Sequence, residues 1–252
     1  MNNIINSELK KIIKKKGLMV FWILSLLLGY ISVRNFSLAD SYGDLFSKFY
    51  GLAPLMGILM FSVFAGSFVL EYSSNMESII KCTKNGKNKI VLAKSIAYGI
   101  IASLINLSML AVMSLKIIVG NNFKGLDMPI KNIWYFGNSG SNLTVLQMLV
   151  IMSLTIILGS FLFAQLGLWL SSISNKAIVP FFLGGIIMGA PYIASSFISE
   201  KILGYTPLFG MYSSELVRYG LSPISFVVFL VIVILGSYIL YKLTNKGFLQ
   251  ER

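Results

Sequence analysis

The sequence predicts an all-α integral membrane protein: an N-terminal interfacial amphipathic helix followed by six transmembrane helices. Three observations lead there. Of the 252 residues, 56% are apolar and only 12% charged, with a mean hydropathy of +0.80; an ordinary soluble domain is about one quarter charged. Six apolar runs approach the ~20 residues a helix needs to cross the hydrocarbon core. The basic residues collect at the ends of these runs. A fold of this length cannot hide so much apolar surface behind so few charges, and the bilayer has to be part of its solvent.

Residues 1–16 make the first element. Ile5, Leu9, Ile12 and Ile13 fall on one side of a helix, with Lys10, Lys11, Lys14 and Lys15 mostly on the other. That is the pattern of a helix lying in the membrane surface, where each lysine near an anionic leaflet contributes about 1 kcal/mol. A simple flank that stops transfer is the plainer alternative. The spans are expected at about 17–35, 49–70, 91–119, 145–170, 178–198 and 223–243, each bounded by charge, Pro/Gly or a polar cluster. The first is short and ends at Arg34, a side chain able to snorkel to the interface. No small-residue cleavage site follows Val33, so this run reads as a retained helix and not as a signal peptide. The fourth and fifth runs leave only Ser171–Ala177 in which to turn.

Charge gives the orientation. With the N-terminus inside, the inner segments hold 14 of the 21 basic residues but only 4 of the 9 acids. The positive-inside rule therefore places both termini in the cytoplasm. The net charge of +12 does not point to nucleic acid, because the lysines flank apolar runs and form no stripe interleaved with aromatics. Cys82 is alone and histidine is absent, which removes disulfide frameworks, the usual metal spacings and the commonest general base. No catalytic, metal or cofactor-binding residues are expected in this chain.

Three groups of residues remain as candidates. The cytoplasmic loop at 71–90 offers a short helix capped by Ser74 or Asn75, with Glu77 near its start and Lys81 near its end, as the helix dipole prefers. Asn85-Gly86 then breaks it. Such a helix is either a handle for a cytoplasmic partner or a basic loop that only sets topology. Gly184, Gly185, Gly189 and Ala190 form overlapping small-xxx-small spacings in the fifth span, the composition that lets helix backbones approach closely; either intramolecular packing or a subunit interface would use it. Asn106, Gln147 and Gln165 are polar but uncharged, and they read as interhelical hydrogen bonds or as the lining of a substrate path. Charged groups in mid-span usually mark proton or ion paths, so a proton-coupled carrier is not expected. The outer segment 199–222 carries Leu203, Tyr205, Phe209, Tyr212 and Tyr219 and should lie against the membrane or partly re-enter it. Trp134-Tyr135-Phe136 reads as interfacial anchoring.

The loop carries a resemblance. Glu71 at the end of the second run, then Ser74-Asn75-Met76-Glu77, Ile79-Ile80, Lys87 and Lys94, resemble the first cytoplasmic loop of type-2 ABC-transporter permeases. Ser74-Asn75 stands where that family has Gly-Thr, and Lys84 where a proline is usual. The number of spans, their orientation and the amphipathic start extend the resemblance over the whole chain. It implies that Glu71, Asn75, Met76, Glu77, Ile80 and Lys81 couple the chain to a separate cytoplasmic P-loop ATPase, which binds ATP and Mg. It also implies a second permease copy, with the first and fifth spans at the seam. Consistent with a separate motor, Gly120–Gly125 has P-loop spacing but continues Leu126-Asp127 in place of Lys-Ser/Thr.

The expected function is accordingly that of a permease subunit of an ABC exporter in a bacterial cell membrane, of the kind that moves amphipathic or antimicrobial-type peptides. A six-span capture subunit of a vitamin importer is the alternative. An intramembrane enzyme would need His, a Ser-His pair or paired acids at membrane depth, and the runs offer none.

Overall fold

The computed structural model describes residues 1–73, 80, 82, 86–137, 139–220 and 223–249. They are all-helical. Two long helices, α6 (Gly86–Gly120) and α7 (Val145–Ser172), form the central pair. The C-terminal helix α12 (Pro223–Leu249) lies along α7 and also touches α6, while α2 (Lys16–Ser32) packs on α6. On the other flank α4 (Ala53–Phe64) pairs with α8 (Ile178–Ala194). Phe46, Phe61, Phe64, Met109 and Met152 are among the side chains that fill the space between these elements.

Among the described residues, three helices are long and apolar enough to cross a bilayer: Asn88–Gly120, Val145–Ser172 and Pro223–Phe248. The pair α3 (Leu38–Gly51) and α4 meets the same test only jointly, because it is bent by 43° at the break. Pro54 in the first turn of α4 supplies no backbone donor to the preceding turn, which accounts for the break at this point. The helices α2 and α8 are apolar but shorter. Ile23, Leu27, Ile31, Ile186, Ile234 and Ile239 all stand exposed on α2, α8 and α12, as expected of surfaces that face lipid or another apolar partner.

Helix α3 begins well before residue 49, where the sequence places the second span. Asp40, Asp44 and Lys48 break the apolar run and conceal the period. The buried set Tyr42, Leu45, Phe46 and Phe49 nevertheless follows the i, i+3, i+4, i+7 spacing of a helix face. Ser37 caps the start by accepting from the Asp40 N–H.

The N-terminal helix α1 (Asn2–Ile13) sits on α6. Ile12 is buried, and Ile5 and Leu9 pack towards the core, while Ile13 is exposed. The stripe offered by the sequence to the membrane surface is thus largely covered by the protein itself.

Helix α7 starts with a capping box: Thr144 accepts from the Gln147 N–H, and the Gln147 side chain accepts from the Thr144 N–H. Thr144→Ala is expected to lower stability by about 1 kcal/mol, measurable as a shift in thermal unfolding of the detergent-solubilised protein.

Candidate functional site

Among the described residues, a buried ion cluster lies at the end of the bundle that holds α1, the short helix α5 (Val69–Ser73) and the start of α6. Lys94 is only 1% exposed, yet it is a lysine inside an apolar helix. Its ammonium group lies 2.9 Å from Glu8 Oε2 and 2.9 Å from Glu71 Oε1, and donates to the Ser67 carbonyl at 2.6 Å. The Phe68 ring stands 5.1 Å away, a cation–π distance. Lys11 reaches in from the rim, 2.5 Å from Glu8 Oε1 and 3.5 Å from Glu71 Oε1.

Two carboxylates and one ammonium group are buried together, with a second ammonium group half-exposed. Burial pushes the Glu8 carboxyl up, but Lys94 and Lys11 outweigh it and hold the carboxyl below the ordinary glutamate value. Burial and the like charge of Lys94 both push Lys15 down. The second oxygen of Glu71 is buried with no hydrogen-bond partner. In mechanical terms the cluster fastens three chain segments to one point: the N-terminal helix, the end of the second apolar run and the entry to the third.

Of the loop residues singled out by sequence, Glu71 belongs to this cluster. Ile80 is helical, half-buried and packed against the core. Asn75, Met76, Glu77 and Lys81 lie outside the described residues. From the sequence Glu8 counts only among the charges that set topology, and Lys94 among those charges and in the loop resemblance; neither is expected in a buried ion cluster. The missed signal is the position of Lys94, just after Val91-Leu92-Ala93 and inside the third apolar run, where a charge needs a counter-ion.

The three amides take separate roles. Asn106 is fully buried, and its amide nitrogen donates to the Ala102 carbonyl at 2.9 Å and to Ser160 Oγ at 3.2 Å. It therefore ties α6 to α7. Gln165 accepts from Ser95 Oγ at 3.1 Å, a second tie between the same helices. Gln147 stands apart, spent on the capping box at the start of α7.

The small residues of α8 divide in two. A Cβ on Gly184 would overlap the ring of Phe61 on α4, so this glycine permits the α4–α8 contact. Gly185 and Gly189 have open space where a Cβ would stand. Together with Ala190 they help line an apolar groove of about 720 Å³ between α4 and α8, whose other walls include Pro54, Gly57, Ile58 and Phe182. Compared with protein-family models and with curated proteins, the chain matches none.

Proposed function

We propose that the chain is the membrane-spanning permease subunit of an ABC-type exporter, driven by a separate cytoplasmic ATPase. In this reading α2, the bent pair α3–α4, α6, α7, α8 and α12 are the six spans, with both termini cytoplasmic. The 17-residue helices α2 and α8 reach only about 25 Å. Local thinning of the bilayer and snorkelling by Lys16 and Arg34 accommodate such short spans at modest cost.

The observation that carries the proposal is the Lys94 cluster. It binds α1, Glu71 and α6 at the two ends of the segment in which the sequence places a partner-docking helix. A push on that segment by a nucleotide-driven partner would be delivered to two spans at once, because both are fastened to one buried ammonium group. The groove between α4 and α8 supports the remaining parts of the reading. Its open apolar walls suit a second permease copy or an amphipathic peptide arriving sideways from the bilayer.

Purification of the tagged protein from its native membrane in mild detergent, with mass spectrometry of what accompanies it, tests the proposal. A P-loop ATPase and a second permease chain are the expected companions, and a solitary monomer that retains a tightly bound vitamin would replace the reading with that of a capture subunit. Glu77→Lys is expected to leave membrane insertion intact while abolishing recovery of the ATPase. Undiminished recovery with that variant would show that the partner docks elsewhere.

A further inference from the structure

We propose that a pocket at the opposite end of the bundle, walled by Trp134, Tyr135, Arg218 and Tyr219, binds a phosphate-type anion carried by a phospholipid headgroup or free in solution. The pocket encloses about 270 Å³, close to the lower end of the ~300–1,000 Å³ range of ligand sites. Two short elements build it. The 3₁₀ turn Trp134–Phe136 presents its first two rings to the pocket, while Phe136 is buried and packs edge-on against Phe46 at 5.0 Å. Helix α11 (Ser213–Arg218) brings Glu215 and Arg218 to one face at i, i+3 spacing, and Tyr219 follows at once.

Arg218 is the recognising group. Its guanidinium carbon lies 4.5 Å from the centre of the Tyr135 ring and 5.1 Å from that of Tyr219. Both are cation–π distances, and the Tyr135 hydroxyl is in addition a hydrogen-bond partner of the guanidinium. One guanidinium donor makes a long contact of 3.5 Å to Glu215 Oε2. Glu215 itself is fully buried, and its other oxygen accepts from the Tyr135 hydroxyl. Burial pushes the Glu215 carboxyl above the ordinary range, with Tyr135 and Arg218 pulling the other way.

By its geometry Glu215 engages Arg218 only weakly. It offers one oxygen at long range where a carboxylate facing a guanidinium normally offers two. A guanidinium has five donors, and Glu215 and Tyr135 engage only part of them, so a planar fork set beside two rings keeps donors for the oxygens of a phosphate. Preorganisation lowers the entropy lost on binding. The aromatic walls would accept the apolar part of a lipid next to its phosphate. A free cation is a poorer fit, since the Arg218 guanidinium already stands against both tyrosine rings. The site stands independently of the transporter reading, whose proposed orientation would put it at the outer face of the membrane.

Native mass spectrometry of the detergent-purified chain tests the site, with dioctanoyl-phosphatidylglycerol, dioctanoylglycerol and inorganic phosphate as probes. Phosphatidylglycerol is expected to bind and dioctanoylglycerol, which lacks the phosphate, to bind far more weakly. Displacement of the lipid by inorganic phosphate identifies the shared group, and phosphate binding without lipid binding assigns the site to the free anion. Loss of charge-assisted hydrogen bonds in Arg218→Gln should weaken binding about tenfold or more. Arg218→Lys keeps the charge without the fork and should also weaken it, which covers the case of a Gln variant that fails to fold. Arg34→Gln should change nothing, and Glu215→Gln, by freeing Arg218, should tighten binding. Equal binding of dioctanoylglycerol, unchanged affinity in both Arg218 variants, or binding of neither phosphate probe overturns the proposal.

Discussion

Lys94→Met is expected to destabilise the protein by about 3–5 kcal/mol, because it removes the buried cation that two buried carboxylates share. Lys11 stays 2.5 Å from Glu8, but it is half-exposed and 3.5 Å from Glu71, so it replaces Lys94 only in part. Unfolding of the purified variant in a denaturing detergent, followed by circular dichroism, measures the loss. The triple variant Glu8→Met, Glu71→Leu, Lys94→Met should recover most of the stability, since exchanging a whole buried ion cluster for packed apolar groups is often neutral or favourable. A single variant as stable as the wild type would show that the cluster is hydrated and loosely held.

The same cluster sets a dependence on pH. The Glu8 carboxyl has its pKa lowered in the folded protein, so the unfolded chain binds its proton more readily. The contribution of Glu8 to stability is complete above the ordinary carboxylate value and is lost as pH falls from there through the lowered one. Glu8→Gln should flatten that acid limb of the stability profile.

The second large effect separates two kinds of glycine on one helix. Gly184→Leu drives a side chain into the Phe61 ring, and overpacking of this kind costs about 1–3 kcal/mol. Gly189→Leu meets open space within the chain and should leave monomer stability within about 0.5 kcal/mol of wild type. If a second copy occupies the groove, Gly189→Leu should nevertheless lower the dimer fraction in cross-linking or size-exclusion measurements. The comparison is informative because both residues share a helix and a chemistry and differ only in what stands opposite them. Equal losses of stability would mean that α8 shifts against α4 as a whole.

Much of the architecture was legible from hydropathy. The long helices α6, α7 and α12 coincide with apolar runs because length and composition alone decide them. The start of α3 was hidden for a physical reason: its buried face alternates with Asp40, Asp44 and Lys48, so mean hydropathy falls although the helical period persists. The stripe on α1 was visible, but a periodic pattern states that a face is covered and not by what. Here α6 covers most of it, and Glu8 is buried within the same face. The ion cluster was legible only in part, since Glu8, Glu71 and Lys94 are distant in sequence and only Lys94 sits at an anomalous place. Gln147 was misplaced for a local reason: Thr-x-x-Gln at the start of an apolar run is a capping signature, and it outweighs the reading of an amide in mid-span.

The bend between α3 and α4 has a geometric consequence. Helix α3 has 14 residues, so it is an arm about 21 Å long. Its N-terminal half is tied to the pole of the bundle opposite Lys94, where the Asp44 carboxylate accepts from the Arg34 N–H and the Tyr42 hydroxyl donates to the Lys124 carbonyl. A rotation of about 10° at the break would sweep the far end of α3 through roughly 4 Å, more than the width of a hydrogen bond. The bent pair α3–α4 thus has the geometry of a lever: a small turn of α4 against α8, if it occurred at the break, would be magnified among the loops at the far pole.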